Sequence, residues 1–301
     1  MISGNVPNHL VVAARTGFLT TALPAVPTYA PIASMIMMDA KSQTLVDLGN
    51  APMPLRNRGK FQVQDFIEKT QTVTPLDWDI TVWISHNALK DDRTGDLDRK
   101  VRSAGANFQR HISQQAFKAL NDGDTAVASC DFGGCYDGLP FYSALHIDNG
   151  AAYQTAQDNI STLALSLDNL ETTLVASKGF KDDQGEFCDY NYDLLVVPPA
   201  YQRIAANICR NNDAYDTANR EVNPYSGMKY IVSPKLDSSA WVLVASSETA
   251  KPIIIAMRES PNLQSAWFDP EAADGGRYYF KFYARYQHFF GDWRLAHQGN
   301  T

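Results

Sequence analysis

Residues 78–122 read WDITVWISHNALKDDRTGDLDRKVRSAGANFQRHISQQAFKALND, and two periodicities meet inside them. Trp78, Ile80, Val82 and Ile84 alternate with Asp79, Thr81 and Ser85, the period of a strand with one apolar face. After the polar junction Lys90-Asp91-Asp92-Arg93-Thr94-Gly95 the apolar residues recur at steps of three and four: Leu97, Val101, Ala104, Phe108, Ile112, Ala116 and Leu120. That spacing predicts one face of a helix over about residues 95–121. Asp91, Asp92 and Thr94 offer cap oxygens and negative charge to its first amides. Asn121-Asp122-Gly123-Asp124 ends it, Gly123 being suited to a left-handed stop. Such a helix is about 40 Å long at 1.5 Å per residue, too long for the inside of a small core. Arg99, Arg102, Gln109, Arg110, Gln114 and Lys118 make its opposite face polar, so the expectation is a spine packed on one side.

Composition permits a large fold. A chain of 301 residues with 45% apolar and 20% charged residues can bury one large core or two. The net charge of -7 argues against a basic nucleic-acid coat and suits a wall that should not grip packed DNA, though many enzymes share it. No apolar run is long enough to span a bilayer, and the first twenty residues lack the basic start of a secretory signal. Cys130, Cys135, Cys188 and Cys209 form no C-x-x-C pair and no zinc spacing, and read as ordinary reduced thiols.

Along the chain, Pro24, Pro27 and Pro31 forbid a continuous helix near the start, leaving an extended arm with one short helix over 11–19 and an apolar anchor at 32–38. Residues 45–85 read as a long hairpin punctuated by Gly49, Pro52, Pro54 and Gly59, its return limb running from Val73 to Ile84. An isolated hairpin is marginal in water and needs an outside surface. Residues 161–270 alternate helix and strand. Leu167, Leu170, Leu174 and Val175 mark one helix, capped by Ser166 or Asp168, and Pro199 opens a second. Strands are expected at 193–197, 229–232, 241–245 and 253–257, in one mixed sheet carrying both helices. Tyr278, Phe280, Phe282, Ala284 and Tyr286 alternate with Tyr279, Lys281, Tyr283 and Arg285; with the stretch from Trp293 to His297 they predict a C-terminal hairpin whose aromatic face lies beneath the spine.

Three further clusters complete a pattern. Trp78-Asp79-x-Thr81-x-x-Ile84 is followed by Leu89-x-Asp91-Asp92-x-x-Gly95, then Tyr136-Asp137-Gly138-x-x-Phe141-x-Ser143-x-x-His146. Leu195-Val196-Val197-Pro198-Pro199-Ala200 and Lys251-Pro252-Ile253-Ile254 with Arg258 and Pro261 come next. In this order, over roughly residues 28–298, the chain resembles the major head subunit (major capsid protein) of Mu-like tailed phages. It departs from that pattern at His86-Asn87, where Arg-Asp is expected, and near Leu55-Arg56, where a Trp is usual.

The resemblance implies an α+β fold of the Hong Kong 97 capsid type. It implies an N-terminal arm over 1–44, an extended-loop hairpin over 45–85, a peripheral domain over 86–160 and 271–301, and an axial domain over 161–270. Arm and loop are expected to lie on a neighbouring subunit. Arg56, Arg58, Lys60, Glu68 and Lys69 are the expected loop contacts by position; the alternative for each is a solvated surface charge. The implied role is self-assembly into hexamers and pentamers that close an icosahedral head around double-stranded DNA, without sequence-specific binding and with no membrane. The implied place is the virion, assembled in the host cytoplasm, with a portal and in some cases a decoration protein. Many relatives begin with a long charged scaffolding helix; none precedes Pro24, so a separate scaffold protein is expected. A compartment shell holding a cargo enzyme is the same fold in another role.

No enzyme is expected, and no cofactor or metal. The chain lacks G-x-x-x-x-G-K-[ST], G-x-G-x-x-G after a strand, H-E-x-x-H and G-x-S-x-G. Its six His residues include no pair at i, i+3 or i, i+4, and His111 reads as a satisfied imidazole beside the spine. Lys181-Asp182-Asp183-Gln184-Gly185-Glu186 lacks the order of a calcium loop and reads as a solvated turn. The remaining enzyme reading is a hydrolase using Cys135 and His146, whose spacing matches no known nucleophile motif.

Overall fold

The computed structural model describes residues 6–22, 27–48, 68–91, 95–147, 153, 155–213, 222–272 and 275–300. In chain order the elements are α1 (Asn8–Ala22), β1 (Ala33–Met37), β2 (Gln43–Leu48), β3 (Glu68–Val73), β4 (Leu76–Ser85), α2 (His86–Lys90) and α3 (Asp96–Asn121). Then come β5 (Ile160–Ser161), α4 (Leu167–Lys178), β6 (Leu194–Val197), α5 (Gln202–Arg210), β7 (Lys229–Val232) and β8 (Ala240–Val244). The chain closes with β9 (Ile253–Asp269), β10 (Arg277–Phe290) and β11 (Ala296–Asn300). They form a four-stranded sheet ordered β1-β9-β10-β4, a five-stranded sheet ordered β5-β11-β8-β6-β7, and a separate two-stranded ribbon, β2-β3.

The spine is α3. All seven of its periodic apolar residues, from Leu97 to Leu120, are buried, as the spacing required. They rest on the four-stranded sheet, where β10 presents Tyr278, Phe280, Phe282, Ala284 and Tyr286, all buried. The register sets Phe280 opposite Val82 and Phe282 opposite Ile80, so β10 and β4 carry one apolar face toward the helix. His111 is satisfied at this interface: its Nδ1 lies 2.7 Å from the Tyr286 hydroxyl.

The spine is not packed on one side only. Gly105, Ser113, Phe117 and Ala119 are buried as well; α1 lies against α3 at Gly105, and the Thr28 hydroxyl, beyond α1, reaches the Ser113 hydroxyl at 2.9 Å. Phe18 of α1 stacks on Phe282 at 4.1 Å and meets Phe108 edge-on at 5.6 Å. The two backbones approach at Gly105, where a Cβ would sit 2.6 Å from the Phe18 carbonyl oxygen. So residues 8–22 fold onto their own subunit, where the sequence reading laid the arm on a neighbour, and β1 joins its own sheet, parallel to β9. The sequence shows apolar residues in this segment but not which surface receives them.

The helix ends also differ from expectation. Gly95, in the left-handed region at φ 70°, is the N-cap of α3, with no side-chain cap bond. Asp91 closes α2, Asp96 and Asp98 supply first-turn negative charge, and Asp92 and Thr94, also expected as cap residues, lie outside the described residues. Gly123 is not in the left-handed region; it is needed because a Cβ there would stand 2.7 Å from the Tyr142 ring.

In the five-stranded sheet β6 and β8 are buried at every residue. Ser166 caps α4 by accepting from the Asn169 amide. Pro199 opens a single 3-10 turn that leads into α5. Two strands sit in the other sheet from the one expected. β9 belongs with β10, not with the strands of residues 161–270, and β11 pairs antiparallel with β8. The chain therefore makes no C-terminal hairpin after β10: it turns at Trp293–Leu295 and crosses to the second sheet. Strand periodicity marks an apolar face and carries no label for the partner strand, which is why both were misplaced.

Candidate assembly surfaces and the buried joint

The crossing between the sheets is a buried polar joint. Arg294, almost fully buried, donates from Nε to the Lys181 carbonyl at 2.9 Å and from Nη1 to the Tyr136 hydroxyl at 2.8 Å, and pairs with Asp292 at 3.2 Å. Asn159 Nδ2 serves the carbonyls of Phe141, Trp293 and Ala296 at 2.9, 3.1 and 3.3 Å. His146 stacks flat on Trp293 with centroids 4.3 Å apart. Burial pushes the Tyr190 and Tyr192 hydroxyls far above their ordinary range, with the nearby Asp292 charge adding to it. Sequence reading missed Tyr136, Asn159, Trp293 and Arg294 as a group, because the joint gathers residues more than a hundred positions apart. The one local signal was a charged Asp292-Trp293-Arg294 inside an aromatic run.

This joint contains the Cys135 and His146 of the hydrolase reading, and its geometry opposes that reading. His146 Nδ1 lies 2.6 Å from Asp137 Oδ2 and Nε2 lies 3.2 Å from the Phe141 carbonyl, so both ring nitrogens face acceptors other than the thiol. Cys135 is buried with Sγ toward the Gly291 carbonyl at 3.8 Å, and burial pushes its pKa well up, away from the thiolate a nucleophile needs. Asp182 closes a tight turn by accepting from the Gln184 and Glu186 amides, each at 2.9 Å. Asp183 is buried, not solvated as the turn reading had it. No group of three metal-ligating side chains occurs among the described residues.

The loop contacts named from sequence divide. Arg56, Arg58 and Lys60 lie outside the described residues. Glu68 and Lys69 open β3, their backbones opposite Leu48 and Asp47. The ribbon spans Gln43–Leu48 and Glu68–Val73, while β4, expected as its return limb, belongs to the four-stranded sheet. Thr44 and Thr72 face each other across the ribbon at 3.1 Å, and Gln71 Nε2 donates to the Gly134 carbonyl at 2.9 Å.

The sheet face away from the helices is polar at one end and aromatic at the other. Arg285 and the Tyr283 hydroxyl reach Asp77 at 3.0 and 2.8 Å, and Lys281 reaches Asp79 at 3.8 Å. Trp267 stacks on Tyr279 at 5.1 Å, opposite Trp83. Trp83 is 43% exposed at the sheet margin, with the Arg277 guanidinium 4.0 Å from its ring centre.

A spine helix laid on one sheet, a second sheet joined through a buried polar crossing, and a ribbon in neither sheet make up the architecture of the described residues. The comparisons give the family. The profile of the family described as phage capsid protein matches residues 68–294, and the chain belongs to that family. No curated protein matches the chain in sequence. In fold it is similar to the procapsid protein of bacteriophage JBD30, with a TM-score of 0.53 and 18% identity over 98% of this chain and 74% of that one. The capsid of cyanophage P-SCSP1u gives 0.57 and 10%, over 92% and 90%. The virus-like particle from Pyrococcus furiosus gives 0.53 and 11%, over 96% and 99%. The fold is thus the Hong Kong 97 capsid fold named from the sequence, and the chain is a phage capsid protein, a shell-forming component of the virion. Among the described residues no helix is long and apolar enough to cross a membrane.

Proposed function

We propose that this chain is the major head subunit, assembling into hexamers and pentamers that close an icosahedral shell around double-stranded DNA. The observation that carries this reading is the β2-β3 ribbon, whose strands hydrogen-bond only to each other among the described strands. A two-stranded ribbon is marginal in water and gains its stability from a surface it lies on. Repeated around a ring, such contacts are heterologous and close where the rotation allows. Each is weak alone, and the shell draws its strength from their number. Arg56, Arg58, Lys60, Glu68 and Lys69 are the proposed loop contacts. The proposed domain division keeps a loop around the β2-β3 ribbon and the peripheral and axial units, with β1, β4 and β9 assigned to the four-stranded sheet that carries the spine. The net charge of -7 suits a wall that holds DNA without binding it. The role calls for no catalysis, and the engaged His146 and buried Cys135 favour that reading. Assembly in the host cytoplasm, a portal, a separate scaffold protein and a decoration protein belong to the same proposal.

Cryo-electron microscopy of the assembled protein tests it. The expected result is six-fold and five-fold clusters, with nuclease-resistant double-stranded DNA inside heads taken from infected cells. Heads holding a protein cargo and no DNA would favour the compartment reading. Uniform closed shells from this chain expressed alone would remove the separate scaffold.

A further inference from the structure

The middle of the spine is tied to the four-stranded sheet by a cluster of aromatic and imidazole rings. His288 of β10, almost fully buried, donates from Nε2 to the Ile112 carbonyl of α3 at 3.0 Å. That bond fixes the neutral ring in one tautomer, with its proton on Nε2. One residue earlier on the spine, His111 meets the Tyr286 hydroxyl at 2.7 Å through Nδ1 and the Gln115 amide at 3.2 Å through Nε2. Trp78 of β4 leans on His111 with ring centres 4.5 Å apart, and its Nε1 donates to the Tyr286 carbonyl at 3.0 Å. Tyr286 meets His288 edge-on at 5.8 Å. The rings thus run from β4 through the spine to β10.

Two imidazoles share this interface, and their surroundings decide what a proton on either would meet. On β9, Ile255 stands opposite His288 and Met257 opposite Tyr286. On β4, Asp77 and Asp79 are engaged by Arg285, Tyr283 and Lys281. Asp131, whose carbonyl accepts from Gln287, has its carboxylate held by Lys118. The one titratable group whose charge acts on His288, among the described residues, is His111, and it disfavours a second charge. A proton on either ring therefore finds no carboxylate, and protons on both set like charges in one apolar interface. The rings differ in access. His111 is half-buried and borders a hollow of about 220 Å³ with Trp78 and Phe108, whereas His288 is closed off.

We propose that His111 and His288 are a proton-operated latch on the spine: with both rings neutral the middle of α3 is fastened to the four-stranded sheet, and with both charged it lifts from that sheet while the five-stranded sheet stays folded. The latch is a property of the single subunit and does not rest on the shell reading. Burial holds both rings below their ordinary range, His288 at about 4. Once the spine lifts, both return to about 6.5, so the lifted state binds more protons and gains as pH falls. His297 is a control within the same chain. It is buried as well, but on β11, where it meets the Ser177 hydroxyl at 3.0 Å outside this cluster.

Acid titration of the unassembled full chain, followed by amide exchange corrected for the intrinsic rate at each pH, tests it. The expected result is that spine amides from Phe108 to Ala116 lose protection about one pH unit above those of β6 and β8, since a local opening that takes up protons precedes global unfolding. His288→Gln keeps a donor for the Ile112 carbonyl and cannot be charged, and should move the spine transition down by about one pH unit. His297→Gln should leave the spine transition in place. Loss of protection at a single pH across the spine and both sheets would overturn the proposal, because it would show unfolding of the whole subunit and no separate release. So would a spine transition that His288→Gln leaves unmoved. Should His288→Gln not fold, His111→Gln, at the half-buried position beside the hollow, takes its place with the same downward shift expected, and an unmoved transition in that variant is equally contrary.

Discussion

The joint between the two sheets and the outer edge of the four-stranded sheet use similar residues and end in opposite conditions. At the joint Trp293, His146, Asp137 and Arg294 find partners within the chain, and nearly every buried polar group is bonded; Trp293 Nε1 is the exception among these. At the edge Trp83, Thr81 and Ile80 line an open groove, and the backbone beside them has no partner strand among the described residues. A buried polar group left unbonded costs about 1–3 kcal/mol, whereas an exposed edge is satisfied by water at no such cost. The joint must therefore be complete before assembly, and the edge can wait. On the proposed reading, the difference separates what folds the subunit from what is left for contacts between subunits. Substitutions at the joint should change stability; substitutions at the edge should change assembly and leave stability alone.

The largest effect should come from the packed side of the comparison. Phe282→Ala removes the ring on which Phe18 stacks and leaves a cavity between sheet, spine and α1. A loss of about 3–5 kcal/mol is expected, read as a shift of the urea midpoint. Asn159→Ala should cost about 3 kcal/mol by stripping the donor from three buried carbonyls. If either left the urea midpoint unchanged while abolishing shells, the separation of roles would fail.

Acid should act on the packed side next. His288 and His297 are buried and held neutral, their pKa values pushed down to about 4. Desolvation is the main cause in both; His297 meets the Ser177 hydroxyl through Nδ1 while its Nε2 has no hydrogen-bond partner among the described residues, and His288 keeps the Ile112 carbonyl. The unfolded chain takes up protons on these rings near pH 6.5 and the folded chain near 4. Their contribution is therefore full above about pH 6.5 and is lost as pH falls toward 4. By pH 5 the loss is roughly 2 kcal/mol for each ring. His297→Gln should flatten the stability profile between these limits, measured as urea midpoint against pH; an unchanged slope would place the acid sensitivity elsewhere. At the small end, Ser166→Ala removes the α4 cap and should cost about 1 kcal/mol in thermal unfolding, with shell yield unaffected.

Much of the packed side was legible in the sequence, and the reason is local. The seven apolar positions of α3, the alternation in β4 and β10, and the Ser166 cap are set by neighbours a few residues away. What was not legible depends on distant pairing. Gly105 looks like an ordinary helix residue until α1 lies against it. β9 and β11 read as strands, but nothing local says which sheet each joins. The acidic run before the spine suggested a cap, yet Gly95 takes that place through its left-handed backbone. The edge of β4 was visible only as a strand; that it is an outer strand, with a groove beside it, is a property of the sheet order.

The most direct test of the account is sedimentation of the purified full chain across a wide concentration range. The account predicts a mass that rises with concentration toward rings and closed shells, because on the proposed reading the β2-β3 ribbon gains its supporting surface from another copy. A compact particle of one subunit's mass, 33.3 kDa, persisting to the highest concentration reached would contradict it.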